Sequence, residues 1–334
     1  MESIKKILII RFSSIGDIVL TSPVVRSLKN QLQTVELHYL TKKPFYDLLK
    51  DNPNLSKVHL WEKSNETNLL AALKNEQFDY IVDLHNNLRT KKFILKLKVK
   101  SSSFPKLNLQ KWVYVNLKKE VMPDLHIVDR YYKAVEKIGV QNDNQGLDFF
   151  INPMNEVDVA ESYNIGKQAY LAVAVGAQFK TKRMPTTLMI KVLTAIDFPI
   201  ILLGSKADEE YAQDICTALP GQNIINACGK HNLQSSASIV KQAKVLLTHD
   251  TGLMHIASAF DTKIISVWGN TTPQLGMYPY KKAQNDLSIH EVSNLKCRPC
   301  SKIGFAECPK GHFKCMEQQD EKEIKESILF KMLG

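Results

Sequence analysis

The residues of this 334-residue chain best placed for chemistry gather at turns that end short apolar strands. In VLLTHDTGLMHIASAF, Val245 to Phe260, an apolar strand stops at Thr248, His249 and Asp250, and a helix begins at Thr251 and Gly252. The first N–H groups of a helix have no partner inside it and carry the positive end of its dipole. Gly252 lets an anion come close to the backbone, so this turn reads as a phosphate seat. Other turns add side chains that neutralise phosphate or move protons. YLAVAVGA leads to Gly176, Ala177, Gln178, Lys180, Lys182 and Arg183; PIILLGS ends at Gly204 and Ser205. KKILIIRF is followed by Ser13, Ser14, Gly16 and Asp17, and DYIVDLH brings in His85, Asn87 and Arg89. Taken alone, an aspartate at a helix start serves equally as an N-cap. A helical histidine such as His255 serves either for packing or as a ligand.

The elements that position these turns alternate strand and helix through both halves, the pattern of α/β folding with parallel sheets covered by helices on both faces. Strands are expected at KKILIIRF, VELHYL, KVHLW and DYIVDLH, and again at YLAVAV, PIILL, NIIN, KVLLTHD and KIISVW. At this length two domains are expected, residues 1–157 and 158–334, divided in the polar stretch near Asn152 to Gly166. A charged helix from Glu321 to Leu333 is expected to pack back on the first domain. Two Rossmann-like halves facing a cleft place ligands at the carboxyl ends of their strands, where all these turns map.

A hydrophobic content of 44% with 23% charged residues suits a folded globular protein. No apolar run reaches the roughly 20 residues of a membrane span, and the run after Lys5 and Lys6 is cut by Arg11 and Asp17, unlike a signal peptide; a cytoplasmic protein is expected. The net charge is +10, and its distribution is uneven. From Leu84 to Lys119 there is no Asp or Glu, while Arg89, Lys91, Lys92, Lys96, Lys98, Lys100, Lys106, Lys111, Lys118 and Lys119 all fall there. Such a block is either a solvated cationic face or a contact for a polyanion. The interleaved Phe93, Phe104, Trp112 and Tyr114 favour amphipathic material at an anionic membrane surface, and no nucleic-acid motif accompanies them. The first turn, SSIGD, lacks the G-x-G-x-x-G of a nicotinamide-dependent oxidoreductase. A noncatalytic polyanion binder would explain the basic block but leave the other turns without a purpose.

Cys297, Cys300, Cys308 and Cys315 cluster with His312 near the C-terminus, while Cys216 and Cys228 stand apart as core thiols. Four thiolates this close can close a structural zinc site, pack a loop as reduced thiols, or serve redox chemistry; the spacing leaves all three open.

The strings RFSSIGDIVLTSPVVRSL, VDLHNNLRT, GAQFKTKRMP and HDTGLMHIASAF followed by VWGNTTP resemble, in order and over nearly the whole chain, the heptosyltransferases of glycosyltransferase family 9, and within them the lipopolysaccharide heptosyltransferase II type. The resemblance implies a GT-B fold of two Rossmann-like domains. It also implies inverting transfer of a heptose from ADP-heptose to the inner core of a lipid-A-linked acceptor, with another nucleotide sugar or acceptor as the alternative. It makes Asp17 the base, with Lys182 neutralising donor phosphate and Arg183 assisting. Ser14, Gly16, Gly176, Gln178, Gly204, Ser205, Asp250, Thr251, Gly252 and His255 fall on the donor side, and Gln234 stands where some members carry a ribose-binding glutamate. His85, Asn87 and Arg89 fall on the acceptor side. Catalysis on this reading needs no tightly held metal, because Lys182 and the helix N-terminus stabilise the leaving group.

Overall fold

A computed structural model describes residues 4–334. The chain divides into two compact units, one running up to Lys106 and resuming at Leu125–Phe150, the other made of Leu107–Asp124 and Ile151–Gly334.

In the first unit, β1 (Lys6–Ile10), β2 (Glu36–Lys42), β3 (Lys57–Trp61), β4 (Tyr80–Asp83) and β5 (Ser101–Ser103) form one sheet in the order β3-β2-β1-β4-β5, with every pairing parallel. The run Ile7 to Ile10 is fully buried, as a central parallel strand covered on both faces must be. After β1 the chain forms two helices, Ile15–Val19 and Ser22–Gln31, the second starting at a proline-containing first turn.

In the second unit, β6 (Leu171–Ala174), β7 (Ile200–Leu203), β8 (Ile224–Asn226), β9 (Val245–His249), β10 (Lys263–Trp268) and β11 (Leu287–Glu291) take the order β11-β10-β9-β6-β7-β8, again all parallel. Both sheets therefore reverse strand order beside their first strand, between β1 and β4 and between β6 and β9. In open α/β sheets ligands bind outside the carboxyl ends of strands at such a reversal.

Two expectations about the chain's path change. The stretch after Phe150 belongs with the second unit because Asn152 N donates to Gln234 Oε1 at 2.8 Å. Residues 107–124 belong there because the Lys118 ammonium donates to the backbone carbonyls of Cys297 and Pro299. The closing helix, Glu321–Leu333, buries Ile324, Ile328 and Met332 in the second unit's core against the helix Thr186–Leu193, β9 and β10. Among the described residues no helix is long and apolar enough to cross a membrane.

Candidate active site

The first unit's reversal point is organised by a residue that the sequence reading passed over. Arg11, one position beyond β1, is buried and donates from Nε to Ser13 O at 2.7 Å and from Nη1 to Leu84 O at 2.5 Å. Its Nη2 lies 2.6 Å from Asp17 Oδ1. The other oxygen, Oδ2, accepts from Ser14 N at 3.1 Å and Ser14 Oγ at 2.8 Å. Asp17 thus closes a capping box on the short helix Ile15–Val19, and the cap and base readings describe one carboxylate. Guanidinium pairing and donation from Ser14 fix the orientation of both carboxylate oxygens. The clue available in ILIIRF was an arginine directly after a fully buried strand, which has to find fixed acceptors there.

At the end of β4, Asp83 is buried and accepts from the N–H groups of His85 and Asn86 and from Thr90 Oγ1 at 2.6 Å. Desolvation pushes the Asp83 carboxyl up despite these donors. His85 is pulled down to about 3, first by burial and then by the Arg11 and Lys106 charges, so it is a neutral imidazole, and its Nδ1 has no hydrogen-bond partner. Asn87 caps the helix Leu88–Leu97 through Thr90 N at 2.9 Å. The Arg89 guanidinium stacks 4.3 Å above the Trp61 ring and is exposed.

In the second unit, Lys182 follows β6 in a short 3-10 turn, and its ammonium sits 2.6 Å from Asp250 Oδ2, just past β9. That oxygen also accepts from Thr271 Oγ1 at 3.0 Å. Thr251 caps the helix Gly252–Ala257, its Oγ1 accepting from Met254 N and lying 3.2 Å from Thr248 Oγ1. The turns after β6 and β9 are thereby tied together across the reversal.

Asp208, also unremarked in the sequence reading, organises the neighbouring turns. Its Oδ2 accepts from Ser205 N at 2.9 Å and Ser205 Oγ at 2.6 Å, and its Oδ1 from Arg183 Nη1 at 3.1 Å. Arg183 is further held 4.2 Å above the Tyr211 ring. A Cβ on Gly176 would come within 2.5 Å of Asp208 Oδ2, and one on Gly204 within 2.9 Å of Asp208 Cβ, so both glycines are there for close approach. The S-x-x-D spacing of Ser205 and Asp208 was the signal available in the sequence. His249 is buried, accepts on Nε2 from Met184 N at 3.0 Å, and is held neutral by burial and by Arg183, at about 3.

Three further expected site residues have these surroundings. Gln178 is exposed on the loop after β6. His255 is buried, 2% exposed, within its own helix. Gln234 is equally buried, and its Oε1 accepts from Asn152 N and Asn155 Nδ2, which fastens the 152–155 loop.

The cysteines stay close to one another without forming a tight donor set. Cys297 Sγ lies 3.8 Å from His312 Nε2, and Cys300 Sγ donates to Cys297 O at 3.1 Å. Burial pushes the Cys300 thiol up to about 11 and the Cys315 thiol up to about 12. Among the described residues, the trio of His, Cys, Asp or Glu whose ligand atoms all lie within 4.8 Å of one another is His38, His59 and Glu76.

Residues 67–305 match the sequence model of glycosyltransferase family 9 (heptosyltransferase). Over 335 aligned positions the chain is 24% identical to the lipopolysaccharide core heptosyltransferase OpsX of Haemophilus influenzae, covering 97% of this chain and 96% of that one. Among solved structures, the glycosyl transferase family 9 protein of Veillonella parvula superposes with a TM-score of 0.79 at 19% identity, over 98% of this chain and 97% of that one. The E. coli ADP-heptose LPS heptosyltransferase II gives 0.73 at 17% identity over 98% of each chain. These likenesses, with the two parallel sheets, make the fold GT-B, as the sequence resemblance implied.

Proposed function

The chain belongs to glycosyltransferase family 9, the heptosyltransferases, and from that premise we propose that this glycosyltransferase moves a heptose from ADP-heptose to the inner core of a lipid-A-linked acceptor, with inversion at the anomeric carbon. The names of its relatives support the donor and the acceptor class. The observation that carries the reading is the Lys182–Asp250 pair beside the Thr251 cap, a cation fixed at a strand-order reversal next to a helix start.

In this reaction the acceptor hydroxyl attacks the anomeric carbon and gives its proton to the Asp17 carboxylate. The bond from that carbon to the diphosphate oxygen breaks, and ADP departs with the bonding pair. Arg11 and Ser14 hold Asp17 oriented before the acceptor arrives, so no rearrangement is needed to present it. Lys182 and the first N–H groups of the helix Gly252–Ala257 offset the charge that grows on the diphosphate, with Asp250 keeping the ammonium in place. Arg183, Gly176, Gly204 and Ser205 shape the donor side through Asp208. Because Gln234 is committed to its own loop, the ribose is assigned to other groups. On the acceptor side, the exposed Arg89 guanidinium, stacked on the buried Trp61 ring, offers a cation for a phosphate of the core, with neutral His85 behind it. The helix Leu88–Leu97 exposes Leu88 and Leu95 among Lys91, Lys92 and Lys96, which suits peripheral contact with an anionic lipid surface.

The test is transfer itself. The purified protein is incubated with a lipid-A-linked inner-core acceptor and, separately, ADP-heptose, UDP-glucose and GDP-mannose, and product is read by mass. A single heptose added from ADP-heptose alone supports the reading. Transfer from another donor, or none, overturns it.

A further inference from the structure

At the amino-terminal edge of the first sheet, opposite the catalytic turns, lies a group of side chains with no part in sugar transfer. His38 on β2 and His59 on β3 are 1% and 6% exposed. His38 Nδ1 stands 2.9 Å from His59 Nε2 and 3.9 Å from Glu76 Oε2. Phe78 packs edge-on against both imidazoles, at 5.2 and 6.3 Å between ring centres. The far nitrogen of His38, Nε2, lies 2.7 Å from Glu36 Oε1. An ionised carboxylate only accepts, so His38 Nε2 carries the proton, and in the neutral ring Nδ1 presents its lone pair toward His59 and Glu76.

We infer that His38 Nδ1, His59 Nε2 and Glu76 Oε2 form a site for a zinc-like divalent transition metal that fastens the β2–β3 edge. Two imidazoles and a carboxylate are donors for zinc, cobalt or nickel, and not for magnesium or calcium. Bonds of about 2.0–2.1 Å in a tetrahedron place neighbouring ligand atoms roughly 3.4 Å apart. The pairs at 2.9 and 3.9 Å bracket that separation and all three ligand atoms lie within 4.8 Å of one another, so the side chains close on a metal by small side-chain shifts, and water takes the fourth position. Glu36 behind His38 supplies the carboxylate–histidine–metal relay that fixes a ligand's tautomer. Binding requires the His59 proton to move from Nε2 to Nδ1, so that both rings stay neutral and each turns a nitrogen lone pair to the metal.

Two ammonium groups compete for the carboxylate. Lys6 Nζ is 3.2 Å from Glu76 Oε2, and Lys57 Nζ is 2.6 Å from Oε1. Lys6 is also 3.3 Å from Glu36 Oε2, so it keeps a partner when a metal takes the Glu76 oxygen. Lys6 therefore weakens the site without abolishing it, a trait that adventitious binding to surface histidines would lack.

Cobalt(II) is the probe, titrated into the metal-stripped full-length protein while its visible d–d absorption is followed. The expected result is one equivalent bound with a tetrahedral spectrum and no sulfur-to-cobalt charge-transfer band. Affinity falls at least tenfold in His59→Ala and in the more conservative His59→Gln. It falls about tenfold in Glu36→Gln and rises severalfold in Lys6→Met. The inference is overturned by no cobalt spectrum in the wild-type protein, by affinity unchanged in both His59 variants or in Lys6→Met, or by a sulfur band that assigns the metal to the cysteine loop.

Discussion

Replacing Lys182 by methionine removes a full positive charge held at the second unit's strand-order reversal by its ion pair with Asp250, while keeping most of the side chain's volume. Two unit charges about 4 Å apart at an effective dielectric near 20 interact by about 4 kcal/mol. The diphosphate already bears charge in the ground state, so only the increment that develops as the sugar bond breaks appears in kcat. Half to three-quarters of that interaction is about 2–3 kcal/mol, a loss of roughly 30- to 150-fold in kcat. The remainder weakens donor binding and raises KM. Lys182→Arg retains the charge and should recover most of kcat even though its fork meets Asp250 differently. The assay is initial-rate transfer from ADP-heptose at varied donor concentration, with circular dichroism to establish folding. A folded Lys182→Met protein whose kcat stays within threefold of wild type would refute the assignment of leaving-group stabilisation to this residue.

Arg11→Met strips the guanidinium from Ser13 O, Leu84 O and Asp17 together. It should cost about 3–5 kcal/mol in urea denaturation, as the loss of one partner of a buried pair does, and a change under 1 kcal/mol would show that the residue is not the organiser of the turn. Gly176→Ala drives a methyl group to 2.5 Å from Asp208 Oδ2, and it should lower stability by about 1–3 kcal/mol and raise the donor KM as Ser205 and Arg183 lose their anchor. Unchanged donor KM would contradict that role. His85 and His249 are both held near 3 in the folded protein against about 6.5 when unfolded. The unfolded chain therefore takes up more protons between these values, so their contribution is complete above pH 6.5 and is lost as pH falls toward 3. Two groups at about 1.4 kcal/mol per pH unit lose up to roughly 4 kcal/mol between pH 6.5 and 5, and equal denaturation midpoints at pH 7 and 5 would argue against both burials.

The strands and the turns after them were legible because a parallel sheet buried on both faces needs continuous apolar runs such as ILII and VLLTH, and those runs must stop at polar residues. The Thr251 cap was readable for the same reason. Strand β5 was not, since Ser101–Ser103 has no apolar signature and lies inside the basic block, held by pairing with β4 and by the Ser102 hydroxyl donating to Ala134 O. The bounds of the closing helix were legible, while the elements that bury Ile324, Ile328 and Met332 were not, because the residues of one helix do not say which neighbour covers them. The site was legible in its charged loop residues and obscure in the groups that hold them. Arg11 and Asp208 act through partners two to 73 residues away in sequence, and Gln234 looked available until the 152–155 loop was seen to occupy it. The histidines of β2 and β3 carry no motif at all; parallel register sets His38 opposite Lys57, and only the diagonal contact across that register brings its ring to His59.

The account rests on Asp17 accepting the acceptor's proton while the second unit holds the donor, and Asp17→Asn tests this most directly. Asparagine can keep the acceptor role toward Ser14 but cannot take the proton at neutral pH. Measured side by side, ADP-heptose affinity should stay within about threefold of wild type while kcat falls by roughly 10²- to 10⁴-fold, the range of general-base catalysis. Retention of near wild-type turnover by a folded Asp17→Asn protein would contradict the account at its centre.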